Sequence, residues 1–244
     1  MNVAVILAAG MGRRIRNLFQ VPKGFIKIKD NSLIDRSIKI LKNSGINKIY
    51  IGTGYRSELY EELTNDLSIS CVKNEKYNNS GSFYTLFKFQ NILKEDFLLL
   101  ESDIFFERKA VEMVIKNNYK NIILTSKLSG SGDEVYVEKN ENKLKRMSKS
   151  RLKLSNVSGE FIGISKISNS LFDNLCNWGM NNQDKMKNMH YEEVISEISH
   201  KNDIKVINIK NLVWSEIDNE IDYLRVVEKV APKVLNSEND KKST

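Results

Sequence analysis

Cysteine is scarce. Cys71 and Cys176 are the only two in 244 residues, which excludes a disulfide framework and any cysteine-based zinc pattern. A reducing, cytoplasmic setting is the expectation that follows. Long hydrophobic runs are missing too, and no window approaches the roughly 18 apolar residues of a membrane helix. The apolar start "VAVILAA" lacks the basic leading segment of a signal peptide and stops at Gly10. Histidine is nearly absent. His190 and His200 lie in a glutamate-rich predicted helix with no serine or cysteine partner motif, and are read as structural or surface residues.

Charge is plentiful, with 38 Lys and Arg against 31 Asp and Glu, a net +7. The lysines are spread among asparagines and no stacking-aromatic motif accompanies them, so nucleic acid is not the expected partner. With 41% hydrophobic and 28% charged residues, the chain fits one globular domain able to bury a full core. No repeat or linker divides it. The domain is expected over 1–232, and 233–244, ending in "NSENDKKST", is expected to be a disordered tail.

Strand and helix patterns alternate through the first half. Residues 2–8 predict a buried strand, 32–45 an amphipathic helix closed by Gly45, and 47–55 a second strand. A short helix (57–67), a strand "ISCVKN", a helix (81–93) and the apolar strand "DFLLLESD" (96–103) follow. This predicts an α/β fold, Rossmann-like, with a mostly parallel sheet and helices on both faces. "DEVYVEKN", "KLKRMSK" and "GEFIGISKI" predict short antiparallel strands forming a small lid. Two helices come next (169–180 and 190–200), then one strand over 204–217 and a last helix from Glu220 to about Val230.

The most informative stretch is "VILAAGMGRRI", Val5–Ile15. An apolar strand runs into Gly10 and Gly12, and Arg13, Arg14 and Arg16 follow. A strand, Gly-x-Gly and a helix direct backbone N–H groups and a helix N-terminus at a bound phosphate. Two other phosphate motifs do not fit. The third glycine of G-x-G-x-x-G is Ile15 here, and the P-loop pattern is absent. A tight turn with exposed arginines is the plainer alternative. "VPKGFIKI" (21–28), however, adds Lys23 shortly downstream. A glycine cradle with two fixed cations suits a triphosphate, because departing pyrophosphate carries several negative charges.

Asp103 closes an apolar strand, which places its carboxylate at the C-terminal edge of the sheet, where open α/β sheets bind ligands. Glu216 and Asp218 follow another predicted strand. If the strands are neighbours the acids converge, and Mg²⁺ takes one or two carboxylates with phosphate oxygens and waters. A helix cap or a solvated acid is the plainer reading of each.

"LAAGMGRRI…PKGFIKI" resembles the signature of the sugar-phosphate nucleotidyltransferase superfamily, L-x-[AG]-G-x-G-x-R followed by P-K, and the likeness runs to about residue 232. Phe25 and Ile26 depart from it, where these enzymes usually have leucine and a small residue. "VKNEKYNNSGSFYTL", "LLLESDIFF", "SGDEVYVE", "GEFIGISK" and "VWSEIDNEIDYL" resemble the 2-aminoethylphosphonate cytidylyltransferases. "SFYTL" also resembles the phosphocholine enzymes. The resemblance implies a nucleotidyltransferase fold and transfer of CMP from CTP to a small phosphonate or phosphate. The acceptor is 2-aminoethylphosphonate first, then phosphocholine, then a sugar 1-phosphate.

It also implies roles for residues. Mg²⁺ would be held by Asp103 and Asp218. The base would meet the 78–83 loop (Ser80, Gly81, Ser82) and the backbone of Leu7, Ala8 and Ala9. Gly10, Gly12 and Ser102 would complete the nucleotide site. Lys23 would steady the α-phosphate and the acceptor anion, and Arg13 the β- and γ-phosphates. The acceptor side would hold Asp133, Tyr136, Glu160, Tyr191, Glu192, Trp214 and Glu216. A primary ammonium favours a carboxylate there, and a quaternary one an aromatic cage. The expected partners are therefore CTP and a small acceptor, with a homodimer left open and no nucleic acid or membrane. The alternative of another class is a non-catalytic nucleotide sensor, which has no need of Lys23 or the metal acids.

Overall fold

The computed structural model describes residues 1–240. Strands run in chain order as β1 (Val3–Ala8), the two-residue pair β2 (Lys27–Ile28) and β3 (Asn31–Ser32), β4 (Lys48–Thr53), β5 (Ile69–Lys73), β6 (Phe97–Glu101) and β7 (Ile104–Phe106). Then come β8 (Ile122–Ser126), β9 (Tyr136–Asn140), β10 (Lys143–Ser148), β11 (Gly159–Ile167), β12 (Lys205–Asn208) and β13 (Trp214–Glu216). The main sheet has nine strands in the order β5-β4-β1-β6-β11-β8-β12-β10-β9. β5, β4, β1 and β6 are parallel neighbours, whereas β11 runs antiparallel to both β6 and β8. The α/β class with a mostly parallel sheet is thus what the chain adopts.

β1 shows why its sequence is apolar throughout. Val3, Val5 and Leu7 pack on one face with helices α3 (Ser82–Phe87), α5 (Asn169–Asn181) and α7 (Tyr191–Ile198). Ala4, Ile6 and Ala8 pack on the other with α1 (Leu33–Asn43) and α4 (Lys109–Lys116). A central parallel strand covered on both sides has no solvent face to make polar. Ser32 caps α1 by accepting from the Asp35 N–H, which starts that helix where the sequence pattern does.

Four expectations are corrected. The segments expected as a lid are antiparallel strands but form no separate layer. β9 and β10 extend the main sheet, and β11 is a nine-residue strand in its centre. Residues 13–18 form turns rather than a helix, with Ile15 and Arg16 N–H donating to the Gly12 carbonyl. The strand expected over 204–217 splits in two. β12 stays beside β8, and after a turn β13 leaves to pair antiparallel with β7, because Trp214–Glu216 register against Ile104–Phe106 instead.

The fourth is the tail. A helical run continues from α8 (Glu220–Arg225) through a π-turn (Val226–Val230) into α9 (Ala231–Asp240). Ala231 and Val234 continue the apolar stripe of the preceding turns and are buried against Ile26, Phe105 and Ile217. Glu238 accepts from Arg36 and from the Arg108 N–H. Residues 241–244 of the expected tail lie outside the described residues. No helix among the described residues is long and apolar enough to cross a membrane.

Val234 has no exposed surface, whereas Leu67 is 98% exposed. Val234→Ala should cost about 2 kcal/mol and Leu67→Ala close to nothing. Thermal unfolding of the two variants checks this, and equal melting temperatures would mean that α9 does not pack.

Candidate active site

The carboxyl ends of β1 and β6 open onto a cavity of about 350 Å³. β1 brings Leu7, Ala8 and Ala9 to its rim, and the chain turns away at Gly10 and Gly12. Gly12 has φ of 56°, in the left-handed region that disfavours a side chain, and a Cβ there would sit 3.1 Å from Lys23 Cγ. The glycine therefore lets the loop lie on Lys23. Since no helix follows, the loop would offer a phosphate its turn N–H groups and side-chain cations, without a helix dipole. Lys23 itself is held by a 3-10 turn after Pro22.

The acids arrive from two directions. Glu101 ends β6, and Ser102 and Asp103 fill the bend before β7. β13 delivers Glu216, and the Ile217 N–H donates to the Asp103 carbonyl at 2.9 Å. That bond sets Asp218 opposite Asp103. Lys23 Nζ lies between them, 2.8 Å from Asp103 Oδ2 and hydrogen bonded to Asp218 Oδ1. Burial opposes the Lys23 charge, but Asp103, Asp218 and Glu216 outweigh it and lift its pKa above the ordinary range. Burial likewise opposes ionisation of Asp218, and Lys23 overcomes this, holding the carboxyl at about 2.

Three other acids go the opposite way. Burial, then the charges of Asp103 and Glu192, push Glu101 up to about 8. Burial also raises Glu216, helped by Asp103, Glu101 and Asp218, and it raises Glu192. This wall seeks positive charge.

For a metal, the donor set is carboxylate oxygen only, which fits a hard dication such as Mg²⁺. Asp103 and Asp218 already converge on one positive charge, that of Lys23. Glu101, Asp103 and Glu216 form an adjoining group whose oxygens lie within 4.8 Å of one another. Asp103 belongs to both arrangements, so it is the residue common to any metal position here.

Most of the sequence-predicted residues meet at this cavity. Ser80, Gly81, Ser82 and Ser102 line it with the glycine loop, and Asp133, Glu160, Tyr191, Glu192, Trp214 and Glu216 line the far side. Some act differently from expectation. Gly81 makes room for protein, because a Cβ there would collide with the Met189 carbonyl. Tyr191 is buried and only its hydroxyl works toward the site, donating to Glu101 Oε1 at 2.8 Å. Glu160 accepts from the N–H and hydroxyl of Ser129, so it anchors the 129–133 loop. Tyr136 does not line the cavity. It donates instead to Glu134, at the start of β9.

Arg13 is at the rim, but its guanidinium donates to the Asn78 carbonyl at 3.3 Å. Arg14 is the arginine among the acids, 2.7 Å from Asp133 and 2.9 Å from Asp218. The hydrogen bond it donates to Asp133 raises its pKa further, with the Asp218 and Glu216 charges adding to the effect. A signal for Arg14 was present, since the signature counted from Leu7 puts its arginine there. Glu101, Asn74, Lys149 and His190 also line the cavity. Of these only Glu101, beside Asp103, had a sequence clue. Asn74 donates to Ser80 Oγ and Thr85 Oγ1, contacts that only the fold creates.

The chain is similar in sequence and in fold to known proteins. The model for the MobA-like NTP transferase domain matches residues 4–144. A choline-phosphate cytidylyltransferase of Streptococcus pneumoniae is 29% identical over 49% of this chain, which spans about half (52%) of that protein's length. Another choline-phosphate cytidylyltransferase, from Haemophilus influenzae, is 22% identical over 94% of this chain and 97% of its own. The inositol-1-phosphate CTP transferase of T. maritima superposes with a TM-score of 0.80 and 22% identity over 96% of both chains. The fold is that of these nucleotidyltransferases.

Burial pushes the Glu160 carboxyl up to about 7 from 4.5, against its two bonds from Ser129. Between those values the folded chain keeps a proton that the unfolded chain loses, so this group makes stability fall as pH rises through that window. Glu160→Gln keeps an acceptor for Ser129. It should raise the melting temperature at about pH 8 and do much less near pH 5. Thermal unfolding at both pH values checks this, and a pH-independent difference would mean that the carboxyl ionises freely.

Proposed function

Because the chain belongs to the MobA-like NTP transferase domain family, we propose that it transfers CMP from CTP to the phosphate or phosphonate oxygen of a small ammonium-bearing acceptor, best 2-aminoethylphosphonate, and releases pyrophosphate. The observation that carries this reading is Lys23, held between Asp103 and Asp218 beside the glycine loop, in a cavity whose carboxylate wall is formed with Glu101, Glu192 and Glu216. The names of the relatives support cytidylyl transfer to a phosphate-bearing acceptor.

The chemistry asks little of the protein beyond placement and charge. The acceptor oxygen is already ionised and attacks the α-phosphorus in line. One P–O bond forms as the bond to pyrophosphate breaks, and no general base is needed. Lys23 leaves part of its interaction with Asp103 and Asp218 to phosphate oxygens, and Arg14 and Arg13 meet the charge that departs. Asp103 and Asp218 would hold Mg²⁺, which supplies further neutralisation of the phosphates.

A primary ammonium can donate to the carboxylate wall, and a quaternary one cannot. Phe83, the phenylalanine of "SFYTL", is buried against Phe87 and Trp178 and is not at the cavity. Phosphocholine stays as the second reading because two relatives are choline-phosphate enzymes. Trp214 would then be its aromatic face. A sensor without catalysis has no use for Lys23 and both aspartates, all of which are in place.

Pyrophosphate release with Mg²⁺ tests the reading, using CTP or UTP against 2-aminoethylphosphonate, phosphoethanolamine, phosphocholine and glucose 1-phosphate. Release is expected with CTP and the primary amines, and chelation of the metal should abolish it. Lys23→Ala should lower turnover on the order of 10²-fold. Glu192→Gln should raise KM for the amines more than for any uncharged acceptor. Turnover of glucose 1-phosphate in preference to every amine would sink the proposal.

A further inference from the structure

A continuous chain of charged side chains, alternating in sign, runs through the cavity. Asp103 and Asp218 hold Lys23 between them, and Asp218 Oδ2 lies 2.9 Å from Arg14. Arg14 in turn lies 2.7 Å from Asp133 Oδ2, and Asp133 Oδ1 lies 2.9 Å from Lys149 Nζ. All of these residues line the cavity. Lys23, Arg14 and the two aspartates have a place in the reaction above, and Lys149 has none. It follows β10, and the pairing of Ser148 with Tyr136 brings it beside the chain that enters β9 from Asp133. Burial opposes its charge, but Asp133, Glu216 and Glu192 outweigh this and raise its pKa.

The carboxylates in this chain of contacts are not held alike. Asp103 and Asp218 are tied through the Ile217 N–H, which donates to the Asp103 carbonyl. Asp133 ends a loop whose root is fixed, since Glu160 accepts from both the N–H and the hydroxyl of Ser129. Past that root come Gly130 with φ of 73° and Gly132 with φ of 87°, the left-handed region that glycine enters freely. A Cβ on either would meet nothing within 4 Å, so the loop runs through open space. The Arg14 and Lys149 side chains are 56% and 52% exposed. Ion pairs of such exposed groups are weak, and a stronger anion can displace Asp133 from them. A phosphate presents paired oxygens as a carboxylate does, with more charge.

We propose that Arg14 and Lys149 form a subsite for one phosphate or phosphonate group, and that the Asp133 carboxylate occupies it until that group arrives. Each Asp133 oxygen already meets a cation, so the acceptor-side contact expected of this residue is replaced by competition with the substrate. When the anion enters, Asp133 gives up both cations and withdraws on its glycine loop. The proposal deepens the transfer reading and rests on it for the molecules that bring the group. Those are the nucleotide, through its outer phosphates, and the acceptor, through its anionic head.

Calorimetric binding of inorganic pyrophosphate and of 2-aminoethylphosphonate, each alone and without metal, tests this. The proteins would be the natural chain, Asp133→Asn, Lys149→Gln and the double variant. Asp133→Asn keeps the shape of the plug and removes its charge, and should bind one of the two anions on the order of fivefold more tightly. Lys149→Gln should weaken the same anion, and should cost several-fold more when Asp133 is already Asn, because the lysine is then fully available to the ligand. Coupling with pyrophosphate assigns the subsite to the nucleotide, and coupling with the aminophosphonate assigns it to the acceptor. A mere change in the local field would make the two substitutions act independently, and that result overturns the proposal. So does an Asp133→Asn chain that binds both anions no better than the natural one, or binds neither. Any of these leaves the transfer reading standing, since that reading is judged by pyrophosphate release. A coupled subsite in a chain that releases no pyrophosphate from CTP with any acceptor would keep the subsite and overturn the transfer reading.

Discussion

An ammonium removed from water must have its charge answered, and the site is organised around that requirement at Lys23. Its partners come from far along the chain, Asp103 at a separation of 80 residues and Asp218 at 195. Leaving such a group unpaired would cost several kcal/mol, so the elements that bring the aspartates in cannot be displaced singly. β6 ends where it must for Asp103, the β7–β13 ribbon holds Asp218 opposite, and Gly12 gives the loop room over the lysine stem. Two carboxylates around one ammonium also leave a negative remainder, which Glu101 and Glu216 enlarge. Their raised pKa values and the attraction of the site for cations are two consequences of the same crowding.

The ribbon in turn depends on the end of the chain. Arg36 reaches from α1 to the Phe106 carbonyl at 2.8 Å and pairs with Glu238 of α9 at 2.7 Å. Glu238 also accepts from the Arg108 N–H. The last described helix is thus part of the wall behind the β7–β13 ribbon. Across the cavity, the 187–190 loop ties the segment at Gly81–Phe83 to α7, whose Tyr191 hydroxyl donates to Glu101. Two walls of the cavity thus share one hydrogen-bonded joint.

Much of this was legible before any coordinates. Apolar strands ending in glycine or acid, separated by amphipathic helices, point to a sheet covered on both faces, because a strand such as β1 has no solvent face to make polar. The glycine loop, Lys23, Asp103 and Asp218 stood in recognisable segments. Patterns were weakest where the outcome depended on a choice of partner. The 204–217 segment is apolar enough for one strand, yet β8 and β7 each claimed a part of it. Residues 233–240 look polar by composition, yet Ala231 and Val234 are spaced to continue a helical stripe, and that spacing prevailed.

The sequence by itself determined the alternation of strand and helix, the glycine turn and cations of the first loop and the supply of carboxylates at strand ends. These follow from local rules of periodicity, turn chemistry and charge type. Only the tertiary structure decided that Arg13 turns to the Asn78 carbonyl, that Tyr136 stays outside the cavity, and that Glu160 anchors a loop. It alone brought His190 to Ser82, over a separation of 108 residues. The physical reason is the same in each case. A side chain's direction in a loop is set by neighbours that the chain meets only after it has folded.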